Sequence, residues 1–144
     1  MMPSDEPVLN YPDRRRHDIR PRMIAAEIYR GSSYGPKHPL SIPRVSLVVD
    51  MVHAMGWVDG ENYLTGPVAT PAQLARFHDP DYIAAVAQAE RDQMLPEDMM
   101  VRYGLGKNGN PIYPEIFRRP ATAAGSSIMA ANLIKDGGII HHPA

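Results

Sequence analysis

Three short apolar runs limit what this chain can fold into: Met23 to Tyr29, a pair around Tyr63-Leu64, and Ile139-Ile140-His141. Helical patterns separate each run from the next. Strands joined in this way pair in parallel through crossovers, so the chain reads as an α/β domain with a mainly parallel sheet flanked by helices. A parallel strand is buried on both faces and needs neighbours. Three strands are few for such a sheet, and the third starts as the chain stops. The expectation is therefore the N-terminal part of a larger domain over residues 23–144, an incomplete unit given as a fragment. The length of 144 residues and an apolar share of 44% suit one core rather than two. Residues 1–22 mix prolines, acids and the Arg14-Arg15-Arg16 run without an apolar period, and read as a flexible arm.

Between the strands, start and stop signals delimit the helices. Ser41 can cap a helix that opens through Pro43, with Val45, Val48, Val49, Val52 and Met55 at helical spacing and Gly56 as its stop. Thr70-Pro71-Ala72-Gln73 reads as a capping box with proline at the first helical position, leading a helix through Leu74 and Phe77. Asp79-Pro80 repeats the signal for a helix whose face carries Ile83, Val86, Ala87 and Glu90, ending near Gln93. From Gln93 to Pro114, three prolines and three glycines predict a long loop, and a loop of that length is usually functional or disordered. A last helix is expected from Pro120 to Asp136, with Pro120 in its first turn and Gly137-Gly138 stopping it.

Charge and composition exclude several functions. Fifteen Lys plus Arg against sixteen Asp plus Glu leave a net charge of -1, which offers no electrostatic footprint for nucleic acid or an anionic membrane. No apolar stretch approaches the ~18 residues of a spanning helix, and the N-terminus lacks a signal-peptide pattern. The chain has no cysteine, which rules out thiolate zinc sites and thiol nucleophiles and fits a reducing compartment. A cytoplasmic protein is the expectation.

Two motifs fail on their context. Gly31-Ser32-Ser33-Tyr34-Gly35 matches a nucleophile elbow, but Pro36 and Pro39 forbid the helix that must begin at the serine. Gly104-Leu105-Gly106-Lys107-Asn108-Gly109 matches a dinucleotide loop, but Pro111 and Pro114 forbid the helix that would hold a pyrophosphate. The histidines at 17, 38, 53, 78, 141 and 142 include no pair at helical zinc spacing. His53 and His78 read as hydrogen-bonded structural residues. His141 and His142 are adjacent and, on a regular strand, point to opposite faces, so they address one site only where the strand has ended.

A wider pattern resembles a known family. Tyr34-Gly35-Pro36-Lys37-His38-Pro39 with Arg44 is similar to the His-Pro...Arg segment of the zinc-dependent histone deacetylases, which include the acetoin-utilisation and acetylpolyamine deacetylases. The likeness continues through Thr70-Pro71-Ala72-Gln73-Leu74, Phe77-His78-Asp79-Pro80-Asp81-Tyr82-Ile83, Tyr103-Gly104-Leu105-Gly106 with Asn110-Pro111, and Gly137-Gly138-Ile139-Ile140-His141-His142-Pro143-Ala144. It implies an arginase/deacetylase-type fold and hydrolysis of an acetyl amide on a lysine or small amine. In that family one zinc, held by Asp, His and Asp, polarises the carbonyl and activates water, a histidine pair moves protons, and a tyrosine steadies the oxyanion.

The resemblance assigns Tyr34, His38, Pro39, Arg44, Asn108, Gly109 and His142 to the substrate pocket or its rim, with Arg44 buried below the pocket and linked to acetate release. It places no catalytic residue and no zinc ligand before Ala144, because His141-His142 matches the pocket approach and not the proton-moving pair. Two departures stand out. Pro43 directly precedes Arg44, where the family commonly places proline two residues before the arginine. Gly109 stands where many members carry a substrate-gripping aspartate, which favours a small acetylated amine over a peptide. The chain alone is expected to bind no zinc, to hydrolyse nothing and to self-associate. Two other readings stay open: a short non-catalytic binding or regulatory module of the same fold, and a small metal-binding module built on His141-His142.

Overall fold

The computed structural model describes residues 20–36, 38–107, 109–135 and 137–144. The expected arm lies outside the described residues up to position 19. In chain order the elements are β1 (Arg22–Ala25), α1 (Ile28–Gly31), α2 (Arg44–Ala54), β2 (Tyr63–Thr65), α3 (Pro71–Leu74), α4 (Pro80–Asp92), α5 (Glu97–Tyr103), α6 (Arg118–Leu133) and β3 (Ile140–His141). The three strands form one parallel sheet in the order β2-β1-β3, with Met23 beside Tyr63 on one side and beside His141 on the other. The expectation of a mainly parallel sheet flanked by helices holds. Central β1 is buried on both faces, and Ile24 and Ala25 are fully inaccessible. One core cluster packs Met23, Ala25 and Val49 between the sheet and α2, and a second joins Val86, Ala89, Leu95, Leu105, Tyr113 and Ile116.

Local chemistry explains most boundaries. The Thr70 hydroxyl accepts from the Gln73 amide at 3.3 Å while Gln73 Oε1 accepts from the Thr70 amide at 2.8 Å, closing the expected capping box. The Asp79 carboxylate accepts from the Asp81 amide at 2.7 Å and starts α4. Pro120 is the third residue of α6, inside the first turn, where its missing N–H costs nothing.

Four expectations need correction. The run from Met23 is a strand only to Ala25; Glu27 already has helical angles, and the single turn of α1 turns Tyr29 inward. Pro43, not Ser41, is the N-cap of α2, with no side-chain bond, and Met55 is exposed where the stripe predicted burial. Helix α3 stops at Leu74 and leaves Phe77 in a turn, 90% exposed. The long loop holds helix α5: Glu97 and Asp98 suit its first turn, Arg102 its last, and Gly104 ends it with a left-handed φ of 67°.

Helix α6 lies close against the segment after β2. The Ala69 amide donates to the Ala121 carbonyl at 2.9 Å, and a Cβ at Gly125 would stand 2.7 Å from the Ala69 nitrogen and closer still to the Pro67 carbonyl. Only glycine allows that approach. A single carboxylate holds the start of the helix: Glu90 Oε2 accepts from the Phe117 and Arg118 amides, each at 2.9 Å, and Oε1 accepts from Arg118 Nε at 2.7 Å.

Candidate functional site

The described residues between Ser32 and Ser41 form turns and bends. The Ser33 hydroxyl accepts from the Gly35 amide at 3.1 Å, and among the described residues no helix begins between Ser33 and Arg44, so the elbow geometry for a serine nucleophile is absent there. His38 Nδ1 accepts from the Leu40 amide at 3.1 Å, which requires the ring proton, in the neutral form, to sit on Nε2. Tyr34 is the centre of an aromatic cluster. Its ring meets His38 at 4.8 Å, Tyr113 edge-on at 4.9 Å, and the Arg119 guanidinium at 4.4 Å. Burial pushes the Tyr113 hydroxyl well above its ordinary value, Tyr34 beside it adds to the rise, and Arg119 opposes it.

Two cavities meet at this cluster. One, of about 360 Å³, is an apolar cleft between α4, α6 and the segment after α5, with His78, Tyr82, Asn110, Tyr113 and Phe117 among its lining. The other, of about 370 Å³, lies between α1, α2 and α6 and is lined by Tyr29, Arg44, Val48 and Arg119, with Pro143 and Ala144 at one end. Tyr34 and Pro120 line both. Tyr34 is therefore a shared wall.

The structure brings Tyr34 and His38 into contact and places Arg44 on the same cavity as Tyr34. Arg44 departs from the expectation of burial: its side chain is exposed and has no hydrogen-bond acceptor among the described residues. Its place beside Pro43 at the first turn of α2 keeps its stem on the rim. Pro39 is exposed in the turn after His38. The Gly-x-Gly-x-x-Gly segment is a tight turn, closed by the Gly106 amide donating to Asn110 O and the Asn110 amide donating to Lys107 O, each at 2.9 Å. Gly109 is exposed in this turn, Asn108 lies outside the described residues, and the next residue, Asn110, faces the apolar cleft. His142 follows β3, half-buried, with Nδ1 3.4 Å from the Ser127 hydroxyl and Nε2 buried without a partner. Burial lowers its pKa, and His141 beside it lowers it further.

Sequence reasoning missed Tyr29, Tyr113 and Arg119, which the structure gathers around Tyr34. Arg119 carried one available signal, an arginine two residues into a helix that is otherwise small and apolar on its inner face. Among the described residues, no three His, Asp or Glu side chains come together in a way that could hold a metal ion. The described residues do not fit a zinc site.

Residues 38–143 match the histone deacetylase domain model. The chain belongs to the histone deacetylase family. This histone deacetylase domain is 26% identical over 119 residues to the acetoin utilization protein AcuC of Bacillus subtilis, covering 83% of the chain and 30% of AcuC. It is 29% identical over 109 residues to histone deacetylase 9 of Arabidopsis thaliana, covering 74% of the chain and 25% of that protein. Among solved structures, a histone deacetylase homologue complexed with SAHA superposes with a TM-score of 0.80 at 31% identity over 84% of the chain and 32% of that structure. The homologue from Aquifex aeolicus gives a TM-score of 0.79. The chain thus spans about a third of the AcuC relatives and solved homologues it matches. Among the described residues no helix is long and apolar enough to cross a membrane.

Proposed function

We propose that this chain forms the N-terminal portion of a cytoplasmic, zinc-dependent deacetylase that hydrolyses the acetyl amide of a small amine or of acetyl-lysine. The observation that carries the reading is the family match over residues 38–143 at about one third of the relatives' length. Tyr34, His38, Arg44 and the segment around Gly109 contribute the pocket wall and rim, while residues following Ala144 supply the Asp, His and Asp zinc ligands, the proton-moving histidine pair and the oxyanion tyrosine. A small acetylated amine is favoured because Gly109, at the rim position, has no carboxylate with which to grip a peptide backbone.

The test compares this chain with the same chain extended by the coding sequence that follows it. The extended protein is expected to hold one zinc per chain and to deacetylate an acetylated polyamine faster than an acetyl-lysine peptide. The 144-residue chain is expected to do neither. An extended protein that binds no zinc and cleaves neither substrate would overturn the reading and leave the short binding or regulatory module in its place.

A further inference from the structure

Helix α2 is apolar on both sides. Its inner side sets Val49, with Val48 and Val52, against Met23, Ala25 and Tyr63 of the sheet. Its outer side carries Leu47, Met51 and Met55, each four residues after the last, which places them in one ridge, and Trp57 follows just beyond the helix. These side chains are 50–61% exposed, and Ala54 beside them is exposed as well. A ridge of large apolar side chains on a helix that has already buried its core face marks a surface for another body.

The charges around the ridge indicate which body fits. The ridge itself bears none, and Asp50 on its flank is held by Arg30 through bonds of 2.7 and 2.9 Å. Its two ends differ in sign. Arg44 stands exposed at the first position of α2, and Asp59 and Glu61 stand exposed beyond its last turn. Among the described residues, Arg44 and Glu61 form no ion pair. A surface that is apolar in the middle, positive at one end and negative at the other is complementary to its own image turned end for end. We propose that α2 is a dimerisation helix, packing antiparallel on α2 of a second copy of this chain about a twofold axis at Met51. Met51 then meets the partner's Met51, Leu47 meets the partner's Met55, and Arg44 approaches the partner's Glu61 and the carbonyl end of its α2. Methionine is flexible enough to pack against its own copy, and tryptophan is a frequent anchor in interfaces. The pairing uses neither zinc nor hydrolysis, so it stands or falls separately from the deacetylase reading.

The chain has no cysteine, so single introduced cysteines report the register. On oxidation Met51→Cys alone is expected to form a disulfide-linked dimer, and a mixture of Leu47→Cys and Met55→Cys to give a mixed dimer roughly fivefold or more above either variant alone. Phe77→Cys, at a position 90% exposed outside α2, sets the level of random collision. Adding Ile139→Lys, which acts beside β3, should leave the Met51→Cys crosslink in place. Sedimentation of the chain extended by the coding sequence that follows should show a dimer that Met51→Lys weakens about tenfold or more, since like charges then meet on the axis. Glu61→Lys should weaken it about threefold to tenfold, and adding Arg44→Glu should restore most of the loss. A Met51→Cys crosslink no stronger than that of Phe77→Cys, or one lost with Ile139→Lys, would overturn the proposal. So would Leu47→Cys pairing with itself as readily as with Met55→Cys, or an extended protein that stays monomeric. Should Met51→Lys fail to fold, an undiminished dimer in Glu61→Lys would overturn it as well.

Discussion

Glu90 illustrates how one side chain can define an interface. Its carboxylate takes two amide donors at the start of α6 and one guanidinium donor from Arg118, and only 15% of its side chain is exposed. Glu90→Ala is expected to cost about 2–3 kcal/mol in urea unfolding, because charge-assisted bonds to otherwise unpaired helix amides are lost together. Arg118→Ala should cost only about 0.5 kcal/mol, since that side chain is 56% exposed and the amide bonds survive. Gly125 gives a second contrast. Gly125→Ala drives a methyl group into the Pro67 and Ala69 backbone and should cost about 3 kcal/mol or more, whereas Gly60→Ala meets nothing within 4 Å and should stay within about 0.5 kcal/mol. At this scale the sequence disclosed what is carried by neighbours along the chain. Tyr34, His38 and Arg44 could be named because they share one motif. Arg119 and Tyr29 could not, because only tertiary packing brings them to one cavity.

At the level of elements, capping chemistry was legible wherever one residue announces a boundary, as Thr70 and Asp79 do. It failed where signals competed. Pro96 signals a break in regular structure, yet it is the N-cap of α5, and the acids after it and Gly104 supply the rest of a helix signal. Ile28 and Tyr29 look like a continuation of the strand in sequence, because apolar residues in so short a run have no visible period, but they lie in α1. The end of β3 carries a pH-dependent term. The pKa of His142 is lowered in the fold, mainly by burial, so the folded state favours the neutral ring and protonation opposes folding. Stability should be intact above the unfolded-state histidine value of about 6.5 and decline as pH falls through it toward the lowered folded value. His142→Gln should flatten the urea midpoint between about pH 7 and 5, a window above the range where Asp50 and Asp59, whose pKa values are lowered, titrate.

Across the whole molecule, the parallel order β2-β1-β3 puts β3 at one edge, and Ile139 just before it is 65% exposed. Among the described residues nothing pairs with the outer side of β3. The chain alone should associate with rising concentration in sedimentation experiments, and Ile139→Lys should shift it toward monomer by placing a charge beside that edge. A parent chain that stays monomeric at high concentration would contradict this. Fold class was legible because three apolar runs separated by helices leave few topologies open. Strand order was not, since Tyr63 and His141 carry no mark showing that both flank Met23. The same topology bears on the timing of synthesis. The middle strand is among the first described segments to leave the ribosome, yet one neighbour joins residue 22 to residue 140. At about 5–20 residues per second, that partner arrives on the order of ten seconds later. Until then Arg22 and Met23 have one flank without its partner, and any folding before that point must proceed with the centre of the sheet paired on one side only.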